Sequence, residues 1–101
     1  MSGALDLACS YGIAIRFAEL GDWGDCELLS EYDPTGPEIR INAKVAAKLS
    51  RHELETFVAL AAGHELYHHR EWIGEVPSLT DRAARESAAA RFARELLERA
   101  R

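Results

Sequence analysis

Apolar and polar residues alternate along residues 13–18, 26–33 and 38–42, and this period of two predicts three β-strands. The residues predicted to face inward are Ile13, Ile15, Phe17, Leu28, Ser30, Tyr32, Ile39 and Ile41. Turn-forming residues separate the strands at 21–25 and 34–37, and short connections of this kind favour antiparallel neighbours. On the outer face of the third strand, Arg40 and Asn42 are expected to be solvated.

Apolar residues at a helical spacing predict helices around these strands. A short helix is expected over residues 4–11, with Ala8 and Cys9 on a shared face and Gly12 as its stop. A further turn or two of helix is expected over residues 43–49.

The main helix is predicted to begin at Ser50. Ser50 and Glu53 form the S-x-x-E pattern of a capping box, in which each side chain binds the backbone N–H of the other residue. The apolar stripe that follows consists of Leu54, Phe57, Val58 and Ala61. Continuing this stripe leads to His64, Glu65 and His68, which are therefore expected on the buried face. A buried polar group without a partner costs about 1–3 kcal/mol, and a metal ion would provide the partner.

A last helix is predicted from about Leu79 toward Arg101, after a break at Pro77 and with Ser78 and Asp81 as a second capping pair. Its apolar face is formed by Ala89, Phe92, Ala93, Leu96, Leu97 and Ala100.

Glu86 precedes Ala89, Ala90 and Ala93 at helical spacing and is expected on that same inward face. An inward carboxylate needs a partner, which is either an arginine or a metal ion. The candidate arginines are Arg16, Arg40, Arg51 and Arg70.

His64, Glu65 and His68 form an H-E-x-x-H motif. Residues four apart lie on one face of a helix, so the two imidazoles can close on one Zn²⁺ ion. The carboxylate of Glu65 then lies beside the metal, where a general base would act on zinc-bound water. With Glu86 the ligand set is His₂Glu, and three protein ligands leave a fourth position open, as in catalytic zinc sites.

Composition narrows the function classes. The 101 residues fit one domain spanning 1–101, and the net charge of −5 without a basic stripe argues against direct nucleic-acid binding, though not against a partner that binds DNA. Neither a signal peptide nor a membrane span is expected, so a cytoplasmic location is predicted. Cys9 and Cys26 form no metal-binding or disulfide pattern and are expected to be reduced and at least half buried.

The order of these features resembles the ImmA/IrrE family of gluzincin metallopeptidases. The resemblance rests on the N-terminal helix, the sheet, H-E-x-x-H and the pattern E-x-x-A-x-x-F-A-x-x-L-L beginning at Glu86. It covers residues 4–97, and the short chain also resembles the minigluzincins, which are stand-alone peptidase cores. It departs from the usual family pattern at Tyr67 and Ala90.

The resemblance implies an α+β zincin-like core with an active-site helix and a C-terminal glutamate helix, and zinc held by His64, His68 and Glu86. It implies a zinc endopeptidase with Glu65 as general base, acting on a protein or peptide substrate such as a DNA-binding transcriptional repressor. Two alternatives stay open. One is a non-proteolytic regulatory binding module that retains a structural zinc site; the other is a helical structural domain with a chance motif.

Other residues have more ordinary predicted roles. Tyr67 is expected to pack against aromatic residues rather than to stabilise an oxyanion. His69 is expected to be a cation at the helix end or a group behind the metal ligands, and His52 to be solvated. Trp23 is predicted to be a core lid, and the strand Glu38–Asn42 is the predicted edge along which an extended substrate binds.

Overall fold

The structure, a computed structural model, describes residues 3–23, 26–27 and 29–100, without the side chains of residues 22–28. The helices are α1 (Gly3–Ser10), α2 (Ala43–Ala46), α3 (Arg51–Trp72) and α4 (Arg82–Ala100). The strands are β1 (Ala14–Ala18), β2 (Asp22–Trp23), β3 (Cys26–Glu27), β4 (Ser30–Asp33) and β5 (Glu38–Asn42). The predicted α+β fold with a three-stranded sheet is confirmed. The predictions for the side chains of Trp23, Cys26 and Leu28 fall outside the described part.

β5 lies at the centre of the main sheet, in the order β1-β5-β4. It pairs antiparallel with β4, as the short connection predicted, but parallel with β1. Its inward residues Ile39 and Ile41 are fully buried. The prediction that Glu38–Asn42 offers an edge to a substrate is wrong, because both sides of this strand are already paired. β1 and β4 are the edges instead. β2 and β3 form a separate two-stranded ribbon.

The outer face of the sheet is more ordered than the sequence predicted. Arg40 binds Glu31 at 2.8 Å, Asp33 at 2.6 Å and Glu38 at 3.0 Å, so its guanidinium is shared among three carboxylates. Asn42 is buried, and its side-chain oxygen accepts a hydrogen bond from the backbone N–H of Lys44 at the start of α2. The prediction of a solvated Asn42 is therefore wrong, because the residue caps a helix.

The N-terminal helix buries Ala4 and Ala8, whereas Cys9 is an exposed free thiol. The expectation of a buried or half-buried Cys9 is wrong, because the face that α1 turns toward α3 and α4 is the alanine face. Along the first strand the predicted alternation weakens, and Phe17 is 49 % exposed near the end of an edge strand.

The two long helices begin at identifiable caps. The capping box is confirmed: Ser50 Oγ accepts from Glu53 N at 3.3 Å, and Glu53 Oε1 accepts from Ser50 N at 2.9 Å. α4 begins at Arg82 rather than near Leu79, because Asp81 Oδ2 accepts from the backbone N–H of Ala84 at 3.0 Å. Ser78 lies before the helix and does not start it. Among the described helices, none has the length and apolar character needed to cross a membrane.

α3 and α4 pack closely through small residues, and this packing sets the position of the site. Gly63 in α3 lies against Ala93 in α4, and both residues are buried. Ala89 and Leu96 on α4 are buried as predicted. The contact aligns the inner face of α4 with the H-E-x-x-H segment of α3.

Candidate metal centre

His64, His68 and Glu86 converge between α3 and α4. His68 Nε2 lies 3.3 Å from His64 Nε2 and 2.8 Å from Glu86 Oε2. His64 Nε2 lies 3.5 Å from the same carboxylate oxygen. The helical spacing of four residues brings the two imidazoles together, and the close packing of the helices brings the carboxylate to them.

These separations suit a small metal ion. Around a tetrahedral zinc ion with bonds of about 2.0–2.1 Å, neighbouring ligand atoms lie about 3.4 Å apart. The three separations of 2.8, 3.3 and 3.5 Å bracket that value. Two imidazole nitrogens and a carboxylate oxygen are also the donor types that zinc accepts, so the residues fit the ion that the motif implies.

Glu86 is more exposed than its alanine-lined helix face suggested, with 49 % of its side chain accessible. The alternative partners that the sequence offered are engaged elsewhere: Arg16 and Arg40 with Glu38, Arg51 with Glu55, and Arg70 with Glu75. Because about half of the Glu86 side chain is exposed, the centre is open to solvent on that side.

Glu65 lies beside these three residues and is only 7 % exposed. Its Oε2 accepts a hydrogen bond from Ser30 Oγ at 2.7 Å, so the edge strand β4 orients the carboxylate. Burial raises the pKa of Glu65 above its ordinary value, and the lowering effects of Ser30 and the nearby imidazoles offset this only in part. A carboxylate whose charge is poorly solvated is a stronger base than an exposed one.

Sequence reasoning missed Glu71, the residue that contacts His68 on the side away from the centre. Glu71 Oε1 lies 2.8 Å from His68 Nδ1, and Arg85 donates to the same carboxylate from Nε at 3.2 Å and from Nη2 at 3.4 Å. Burial raises the pKa of Glu71, but the hydrogen bonds from His68 and Arg85 outweigh it, and the pKa lies below its ordinary value. Its position three residues after His68 could have indicated this contact, because residues three apart are neighbours on a helix.

The remaining predicted residues take different positions. Tyr67 packs against Phe92 with ring centroids 5.7 Å apart, which confirms its aromatic role. His69 is buried, and its Nδ1 lies 2.6 Å from Tyr32 Oη. Burial lowers the pKa of His69, which favours the neutral ring over the predicted helix-end cation. His52 is exposed, as predicted.

Two cavities flank the centre. One, of about 410 Å³, is lined by Leu29 and Ser30 at the start of β4 together with His64, Glu65 and Glu86. The other, of about 290 Å³, lies at the opposite end of β4 and is lined by Tyr32, Pro34, His68, Glu71, Trp72, Ser78 and Arg85. The first cavity therefore opens onto the centre itself, whereas the second contacts His68 from the side that holds Glu71.

In comparisons with known proteins, no family model, curated protein or solved structure matches the chain.

Proposed function

We propose that the protein is a zinc-dependent endopeptidase of the gluzincin type. The observation that carries the proposal is the convergence of His64, His68 and Glu86 within 3.5 Å of one another, with the buried carboxylate of Glu65 beside them. Three protein ligands leave room for water and substrate at a zinc ion. Membership of the ImmA/IrrE family is part of the same proposal and is supported by H-E-x-x-H and the pattern beginning at Glu86. A cytoplasmic location is proposed with it.

A bound zinc ion would act as a Lewis acid toward a peptide carbonyl and acidify a water molecule. His64, His68 and Glu86 would hold the ion. Glu65 would accept the proton of the attacking water and deliver it to the leaving amine. Ser30 would hold the Glu65 side chain in one orientation during both transfers, because its hydroxyl donates to Oε2.

We infer that an extended segment of a protein substrate binds along β4 rather than along the predicted β5. β4 is an edge of the main sheet and supplies Ser30 to the centre, and backbone hydrogen bonds to such an edge are a common mode of peptide recognition. The cavity lined by His64, Glu65 and Glu86 would take a substrate side chain next to the cleaved bond. A DNA-binding repressor is one candidate substrate, in keeping with the family resemblance.

The test compares Glu65→Gln with wild type and with Glu55→Gln, a matched control on the exposed face of the same helix. We expect Glu65→Gln to keep its zinc, because Glu65 is not among the three ligands. Its cleavage of peptides and of unfolded protein should fall by about 10²–10⁴, the usual contribution of a general base. Glu55→Gln should cleave like wild type.

Two outcomes would count against the proposal. Equal cleavage by wild type and Glu65→Gln would exclude Glu65 as the base. Stoichiometric zinc in a wild-type protein that cleaves no repressor, peptide or unfolded chain would favour the regulatory binding module.

A further inference from the structure

We propose that Glu71 is a positioning residue for the metal centre, which fixes the ring of His68 directly and, through Arg85, the first turn of α4, which Glu86 follows. This inference rests on the proposed zinc site and concerns a residue outside the H-E-x-x-H and Glu86 set. It assigns a function to the buried carboxylate that lies behind the centre.

The first part of the argument is the ring orientation of His68. Its Nε2 points to the centre, 2.8 Å from Glu86, and its Nδ1 points away from it, 2.8 Å from Glu71 Oε1. An ionised carboxylate can only accept, so when Nε2 faces a metal ion the proton of the neutral ring is on Nδ1, where Glu71 accepts it and fixes the ring. A carboxylate behind a ligating histidine has this effect in many zinc sites.

The second part is the connection to α4. The side chain of Glu71 is only 3 % exposed, and a buried carboxylate requires a compensating charge. Arg85 supplies it through two hydrogen bonds, and Arg85, in the first turn of α4, directly precedes Glu86. The Glu71 carboxylate therefore contacts His68 on α3 and Arg85, the neighbour of Glu86, on α4. It links the two helices that carry the proposed ligands.

The test measures zinc affinity by competition with a chromophoric chelator in four proteins. These are wild type, Glu71→Leu, Glu71→Gln and Glu75→Leu. The last is a control, since Glu75 pairs with Tyr11 and Arg70 and does not contact the ligands. We expect Glu71→Leu to bind zinc about 10–100-fold more weakly, as for other residues behind metal ligands. Glu71→Gln, whose amide oxygen still accepts from His68 Nδ1, should recover part of this loss, and Glu75→Leu should match wild type.

A second measurement follows the tautomer of the His68 ring, which a purely structural ion pair would not change. Long-range ¹H–¹⁵N spectra at about pH 8, where an ordinary imidazole is neutral, report which nitrogen of His68 carries the proton. The spectra are taken on metal-free proteins that carry Glu86→Ala, which removes the carboxylate facing Nε2. In this background we expect Nδ1–H with Glu71 and with Glu71→Gln, and a shift toward Nε2–H with Glu71→Leu. If the Glu71→Leu protein does not fold, a proton on Nε2 in the protein that keeps Glu71 still contradicts the inference.

The inference is overturned if folded Glu71→Leu binds zinc as tightly as wild type, if His68 carries its proton on Nε2 in the Glu86→Ala protein that keeps Glu71, or if wild type binds no zinc. Neither measurement requires cleavage. A protein that shows the expected Glu71 effects but cleaves nothing would refute the endopeptidase and leave the role of Glu71 intact. If wild type cleaves substrates and Glu71→Leu binds zinc as tightly as wild type, the role of Glu71 is refuted and the endopeptidase proposal stands.

Discussion

Gly63→Ala tests whether the close contact of α3 and α4 holds the metal centre together. Gly63 lies in the middle of α3, immediately before His64. A Cβ atom at this position would lie 2.9 Å from Ala93 Cα and 3.0 Å from Ala93 Cβ. Neither atom can rotate away, so the substitution must push the helices apart or displace α3 locally.

The size of the effect follows from two opposing contributions. In an unhindered helix, replacing glycine with alanine stabilises by about 1 kcal/mol. Here an ordinary contact of at least 3.4 Å requires about 0.5 Å of separation, and overpacking of this kind costs about 1–3 kcal/mol. We therefore expect a net destabilisation of about 1 kcal/mol in the metal-free protein. Zinc binding should also weaken, because the separation changes ligand distances that now span 2.8–3.5 Å.

Gly3→Ala is the matched control. Gly3 also lies in a helix, but a Cβ there would meet its nearest atoms, Ala100 Cβ and Leu96 O, at ordinary distances of 3.5 and 3.7 Å. Urea unfolding of the metal-free proteins gives the free energies, and chelator competition gives the zinc affinities. Gly3→Ala should equal or exceed wild type in stability and bind zinc normally. A Gly63→Ala protein as stable as Gly3→Ala, with unchanged zinc affinity, would refute the reasoning.

Further predictions concern caps, buried hydrogen bonds and metal. Ser50→Ala should destabilise the protein by about 1 kcal/mol in urea unfolding, because it removes the side-chain acceptor of the capping box. The hydrogen bond from the Ser50 backbone N–H lowers the pKa of Glu53. The ionised Glu53 carboxylate therefore stabilises the fold fully above its ordinary pKa of 4.5, and this stabilisation is lost as the pH falls through the folded-state pKa. In Glu53→Gln, the free energy of unfolding should depend less on pH in this acidic range. Tyr32→Phe should lower the free energy of unfolding by about 1–2 kcal/mol, because it leaves Nδ1 of buried His69 without its tyrosine partner. A loss of stability no larger than that of Tyr67→Phe would argue against this hydrogen bond. Removing zinc with a chelator should lower Tm, because a ligand at a hundredfold excess over its Kd adds about 2.7 kcal/mol to the free energy of unfolding. An unchanged Tm after proven metal removal would contradict a metal ion that joins the two helices.

The sequence alone determined the features that depend on local spacing. Ser50 and Glu53 lie three residues apart and form the predicted capping box because helix geometry brings each side chain to the other's N–H. The alternation of Ile39 and Ile41 predicted the buried face of β5 for a similar reason. His64 and His68 share a helix face by their spacing of four, and the alanine pattern after Glu86 indicated which side of α4 faces the core.

Only the tertiary structure decided how these segments meet. The period of a strand indicates which residues face inward but carries no information about its neighbour, so the parallel pairing of β1 with β5 was missed and the exposed edge was assigned to the wrong strand. Ser30 reaches Glu65 across 35 positions of sequence, and Arg85 reaches Glu71 from another helix. Such contacts depend on how α3 packs against β4 and α4. That packing depends in turn on a glycine at position 63, whose missing side chain gives no hydrophobic or polar signal in the sequence.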